Sequence, residues 1–207
     1  MLNIPEYKEY GGETKIALMD NSSLAFMHEL SQRSYPSDGI LSVYDLILIP
    51  KWVMEEIEDS TYRSTYVEQL QAQGYPIRWI DETKYGAFVN DEDVNLYYIV
   101  EAAVSRVSEL MRFLRRKVKT EDLIDLPSAE EWMNRLYDEW PIHGRTLSTG
   151  RALKKNAGEI SLTILAEVFA WYHDEVDSLT IYTQDTDAHE FQTNACLLYT
   201  SDAADDK

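Results

Sequence analysis

Short apolar runs recur along this chain, and each stops on an acid or a proline: "TKIALMD" (14–20), "VYDLILIP" (43–50), "YPIRWID" (75–81) and "SLTIYTQD" (178–185). Runs of this length bounded by turn chemistry predict buried strands, the third being the weakest. Between the first three runs the spacing becomes helical. Leu24, Met27, His28 and Leu30 follow cap-type residues in "NSSLAFMHELSQR", and "KWVMEEIEDSTYRSTYVEQLQAQG" predicts helix up to Gly74. Strands alternating with helices imply an α/β fold, a mostly parallel central sheet flanked by helices with right-handed crossovers. In such sheets sites form beyond the carboxyl ends of the strands. Asp20 and Asp185 stand at two of those ends.

A long helix-rich stretch separates the third run from the fourth. "DEDVNLYYIVEAAVSRVSELMRFLRRKV" (91–118) starts on acids and ends on bases, as the helix macrodipole favours. Ser128-Ala129-Glu130-Glu131 is a capping box opening a helix to about Glu139. "PIHGRTLSTG" (141–150) predicts a flexible loop, and "GEISLTILAEVFAWYH" (158–173) a strongly apolar helix. The expected organisation is a single domain over 1–195 with a helical insertion at about 82–150.

The 207 residues carry a net charge of −18, which argues against a broad nucleic-acid-binding surface. Local basic clusters remain: Arg106, Arg112, Arg115, Arg116, Lys117 and Lys119, then Arg145, Arg151, Lys154 and Lys155. They are either solvated helix faces or a basic rim. No apolar stretch reaches the ~20 residues of a membrane span, and the start lacks the pattern of a secretory signal. A single cysteine excludes an internal disulfide framework and a cysteine-rich zinc site. A cytoplasmic protein is expected.

Taken in order, "KIALMDNSSLAF", "LIPKWVMEEI", "NAGEISLTILAEVF" and "LTIYTQDTDAHEF" resemble the ordered motifs of the PIN-domain nucleases. The resemblance implies acids gathered at one end of a parallel sheet, holding Mg²⁺ or Mn²⁺ and hydrolysing RNA to a 5′-phosphate and a 3′-hydroxyl. It implies Asp20, Glu159 and Asp185 as core metal ligands, with Glu56 and Asp187 as outer ligands or water-orienting groups. Glu55 is the alternative to Glu56, and Thr183 and Ser22 would steady the ligands. The chemistry is coherent, because hard divalent cations prefer carboxylate oxygens. Carboxylates crowded without a cation have raised pKa values.

Plainer roles exist for each residue. Glu159 suits a first helical turn through the macrodipole, Glu55 and Glu56 suit a solvated face, and Asp187 suits a helix cap. Asp20 is expected to be free for a ligand role, since Asn21, Ser22 and Ser23 could cap the helix. The insertion departs from compact PIN proteins and suggests a lid, a protein-docking surface, or an RNA-positioning arm using Arg112, Arg115 and Arg116. A non-catalytic PIN-like binding or scaffold module is the alternative function; a phosphatase-type reading of "TQDTDAH" fails because that nucleophilic Asp belongs early in a chain. The histidines form no paired-ligand pattern, and Trp132, Tyr137, Trp140, Trp171 and Tyr172 sit at packing spacings. From Cys196 onward "CLLYTSDAADDK" resembles the in-frame translation of a sequencing-library adapter. On that resemblance 196–207 is a non-native tail and the natural segment is cut near Ala195.

Overall fold

The computed structural model describes residues 2–33, 38–89, 93–118, 126–148 and 150–184. Four strands form one sheet: β1 (Lys15–Met19), β2 (Leu46–Pro50), β3 (Ile77–Ile80) and β6 (Ser178–Tyr182), in the order β3-β2-β1-β6. Every pairing in it is parallel, with Leu18 beside Leu48, Met19 beside Tyr182 and Pro50 beside Ile80. The expected α/β class is therefore observed. Ile16 to Met19 and Ile47 to Ile49 are wholly buried. That is the continuous apolar pattern of strands covered on both faces, and each of the Ile, Leu and Met side chains contributes ~1.5–3 kcal/mol by leaving water.

Helices α1 (Asn21–Gln32), α2 (Lys51–Glu58), α3 (Thr61–Ala72) and α7 (Ala157–Tyr172) flank the sheet. The stretch between β3 and α7 holds α4 (Asp93–Val104), α5 (Ser108–Lys117), α6 (Ala129–Asp138) and a hairpin, β4 (His143–Thr146) with β5 (Ala152–Lys154). Buried residues of this stretch, among them Leu96, Val100, Trp132 and Met133, join the core of the sheet in one cluster. No helix among the described residues is long and apolar enough to cross a membrane.

Three expectations about local structure are corrected. The helix expected over 51–74 breaks at Asp59–Ser60, because Ser60 takes extended dihedrals (φ −124°, ψ 112°) and its side chain caps α3 by accepting from the Arg63 N–H. The helix expected over 91–118 breaks between α4 and α5, where Val107 is extended (φ −108°, ψ 94°). The stretch at 141–150 is no loop, since it carries β4 and reaches Gly150, whose φ of +82° turns the chain back into β5. The capping box at Ser128 is half made: Ser128 accepts from the Glu131 N–H at 3.3 Å, while the Glu131 side chain pairs with Arg135 instead.

The N-terminal segment covers the outer edge of β3. The Tyr7 N–H donates to the Trp79 carbonyl at 2.7 Å, and the Trp79 N–H donates to the Pro5 carbonyl at 3.0 Å. Leu2, Ile4 and Tyr7 are buried in the process.

Two residues past the end of β3 lies Glu82, which is fully buried. Pro50 precedes α2 and offers no side-chain cap, so an orphan N–H of that helix needs an outside acceptor. Glu82 supplies it: Oε1 accepts from the Trp52 N–H at 2.9 Å and from the Ser161 hydroxyl of α7 at 2.8 Å. The Ser161 hydroxyl in turn lies 2.9 Å from that of Tyr85. Burial first, against the hydrogen bonds from Trp52 and Ser161 that work the other way, pushes Glu82 up to about 8. In the unfolded chain the group ionises near its ordinary ~4.3. Unfolding therefore releases a proton across this window, and stability falls as pH rises from ~4.3 toward the folded value. Glu82→Gln keeps an acceptor and removes the titration. Urea unfolding between about pH 5 and pH 8 should show the variant losing less stability than the wild type, by at least ~1.4 kcal/mol, the worth of one pKa unit. Parallel pH curves would reject this account.

Candidate acidic site at the carboxyl lip of the sheet

Asp20 leaves the end of β1 and immediately starts α1. Its N–H donates to the Tyr182 carbonyl at 3.0 Å, adding one rung to the β1–β6 ladder. Its backbone is extended (φ −90°, ψ 157°), which makes it the N-cap of α1. Oδ1 accepts from the Asn21 N–H at 2.7 Å; Oδ2 accepts from the Ser22 hydroxyl at 2.5 Å, the Ser22 N–H at 3.4 Å and the Thr183 hydroxyl at 3.2 Å. This corrects the expectation that Asn21, Ser22 and Ser23 would do the capping. A cap needs non-helical dihedrals, and those three residues already belong to the helix. Asp20 is thus 5 % exposed and held from both sides.

Glu56 comes from α2. The Asn21 side-chain amide donates to its Oε2 at 3.3 Å. Burial first, then the negative charges of Asp20 and Glu159, push the Glu56 carboxyl up to about 7; the Asn21 hydrogen bond and the positive charge of Arg145 work the other way. Glu159 lies in the first turn of α7. The preceding residue explains how α7 comes so near. A Cβ on Gly158 would stand 3.3 Å from Val53 Cγ2, 3.6 Å from Glu56 Oε1 and 4.0 Å from Asp20 Oδ1. Asn156, at φ +64°, makes the left-handed turn that delivers the chain into this helix, a conformation Asn tolerates.

Asp20, Glu56 and Glu159 are therefore brought together. Asp185 and Asp187 lie outside the described residues, as does everything from Cys196 onward. The residues just before Asp185 are tied to this lip: Thr183 bonds Asp20 as above, and the Gln184 N–H donates to the Ser22 hydroxyl at 2.9 Å. Glu55 turns elsewhere. It pairs with Arg151 and accepts from the Tyr137 hydroxyl, while the Lys154 ammonium lies 3.1 Å over the Tyr137 ring. Of the two neighbouring glutamates, Glu56 is the one that faces Asp20 and Glu159.

The donor chemistry suits a hard divalent cation, being carboxylate oxygens crowded by their own charge. Among the described residues, no three His, Cys, Asp or Glu side chains are grouped so that they could hold a metal ion.

Positive charge reaches the lip from two sides. Arg63 donates from Nη2 to the Glu56 carbonyl at 3.2 Å. Arg145, exposed on β4, bears electrostatically on Glu56, Asp59 and Arg63. In the other basic cluster, Arg115 pairs with Glu101, Lys117 pairs with Glu139, and Arg116 lies 5.6 Å over Phe113. Trp132 and Trp140 are core and Tyr137 stacks on Trp52 at 5.0 Å, whereas Trp171 is 65 % exposed. His173 packs beside Tyr10 at 4.2 Å.

Gly158 and Glu82 were not legible as site-related from the chain alone, whereas Arg145 stood in one of the two clusters that could form a basic rim. Glu82 carried a usable signal, since "WIDE" is also a strand ending in acids. Comparison with family models, curated proteins and solved structures gives no match.

Because Glu56 titrates higher in the fold than its ordinary ~4.3, its ionisation opposes folding; the effect is absent well below that value and complete above about 7. In chelator at about pH 8, Glu56→Gln should raise Tm by ~2–4 °C, near 1 kcal/mol for a chain of this size. The gain should vanish at about pH 4. Equal melting of the two proteins at the higher pH would contradict the placement of Glu56 among like charges.

Proposed function

We propose that this chain is a metal-dependent ribonuclease of PIN type, hydrolysing RNA phosphodiester bonds at the carboxyl lip of its sheet. The observation that carries the reading is that Asp20 and Glu159, from separate blocks of the chain, both bring their negative charge to bear on Glu56. Asp20, Glu159 and Asp185 are the residues that would hold Mg²⁺ or Mn²⁺, joined by Asp187. A divalent ion bound there supplies an acidified water and offsets charge on the scissile phosphate.

The chain's own groups do the rest. Ser22 and Thr183 fix the Asp20 carboxylate in one orientation. Glu56, pushed up to about 7, is matched to holding or passing a proton near neutral pH. Arg145, on the exposed hairpin beside these acids, is placed to orient an incoming phosphodiester by charge.

The test is cleavage of single-stranded RNA with Mn²⁺. Asp20→Asn is a clean variant because Asn caps helices about as well as Asp, so loss of rate is not loss of α1. Asp20→Asn and Glu159→Gln should each lower the rate by more than the ~10–100-fold that removal of an outer partner costs. Equal rates in wild type and Asp20→Asn would remove the catalytic claim. The second reading, a non-catalytic PIN-like binding or scaffold module, draws on the size of the helical insertion and its union with the core. Calorimetry showing no Mg²⁺ or Mn²⁺ binding would favour it.

A further inference from the structure

Helices α1 and α3 face one another across a cavity of about 500 Å³. Its lining is aromatic and neutral-polar: His28 and Gln32 from α1, then Tyr62, Thr65, Tyr66 and Gln69 from α3. The His28 and Tyr62 rings lie face to face, with centroids 6.5 Å apart and planes 27° apart. His28 also leans on Tyr66, at 5.2 Å and 52°. Rings in face-on contact stand ~3.5–4 Å apart, so ~7 Å admits one planar ring between two others. The 6.5 Å between centroids is an upper bound on the present gap, so the pair has to open further to take a base. Tyr62 is 77 % exposed, an unusual position for a large aromatic side chain and one that leaves it free to swing the remaining distance.

We propose that this cavity is a nucleobase-binding subsite for single-stranded RNA, with Tyr62 and His28 clasping one base and the carboxamides of Gln32 and Gln69 meeting its edge. The proposal rests on the ribonuclease reading and names its substrate class. Every base has a π-face, so aromatic stacking gives affinity without demanding a sequence. Only unpaired bases can be splayed into such a slot. A carboxamide offers donors and an acceptor together, as base edges require. No carboxylate stands among the described lining residues, so a phosphate carried with the base meets a neutral port in a chain of net charge −18.

Both walls are continuous with the acidic lip. His28 sits on α1, the helix Asp20 caps, eight residues or ~12 Å further along its axis. Tyr62 adjoins Arg63, whose guanidinium bonds the Glu56 carbonyl. A strand a few nucleotides long would reach from one to the other.

The experiment is fluorescence anisotropy in chelator, comparing a labelled oligoadenylate with an abasic oligomer of the same length. The oligoadenylate should bind, the abasic oligomer should bind at least about fivefold more weakly, and Tyr62→Ala should cost at least about fivefold, the low end of base–aromatic stacking. Tyr62→Phe, which keeps the ring, should retain binding. Because Tyr62 is exposed, its truncation removes little core. Equal binding of the two oligomers, no effect of Tyr62→Ala, or no RNA binding at all would overturn the subsite. The arms also separate it from the nuclease reading. An intact binding pattern with no Mn²⁺-dependent cleavage would discard catalysis and keep the subsite; cleavage with binding indifferent to Tyr62 would discard the subsite alone.

Discussion

A parallel sheet must turn every strand into a crossover at the same lip, and the turn after β1 governs much of this molecule. There the Asp20 N–H still belongs to the ladder with Tyr182, while the Asp20 carboxylate already belongs to α1. A helix start leaves backbone donors without partners, and a buried carboxylate needs donors to offset its lost hydration. The two needs cancel at one residue. The same hydrogen bonds draw Thr183 and Gln184 onto Asp20 and Ser22, so the exit of β6 and the entry of α1 become one structure.

Two other buried carboxyl groups show how differently the fold uses acids. Glu82 sits among neutral donors and acts as a strut: it caps α2 from outside and links that helix to α7 through Ser161. Glu56 sits on the helix so capped, against charges of its own sign. Glu82 is raised chiefly by desolvation, with Asp81 adding to it; Glu56 is raised by desolvation together with the charges of Asp20 and Glu159. The strut thus holds in place the helix whose carboxyl group is under strain, and α7, which brings Glu159 to it.

The strands were legible because strands buried on both faces leave long apolar runs, and "KIALM" and "LILIP" fill β1 and β2 almost residue for residue. The hairpin was hidden for the opposite reason. All four residues of β4 are exposed, so no alternation marks it. The helix breaks at Ser60 and Val107 interrupt apolar periodicity only briefly, and caps of one residue are easily read through. Asp20 could be placed at the lip from the pattern, but its capping role depends on dihedrals that a pattern does not carry. Of Glu55 and Glu56, adjacent residues on one helix point about 100° apart, and only the packing of α7 and the hairpin decides which faces the acids and which meets Arg151.

The missing side chain at position 158 has a wider meaning. Val53 Cγ2 lies 3.3 Å from where a methyl group would begin, so a larger residue there would oblige Val53 or α7 to give by a few tenths of an ångström at the place where Glu56 is approached. The electrical tension of the lip is therefore set by backbone proximity, not by how flexible acidic arms happen to reach. A residue with no side chain thus bears on the proton affinity of its neighbour, because it is the bare Cα at 158 that lets α7 lie against the helix carrying Glu56.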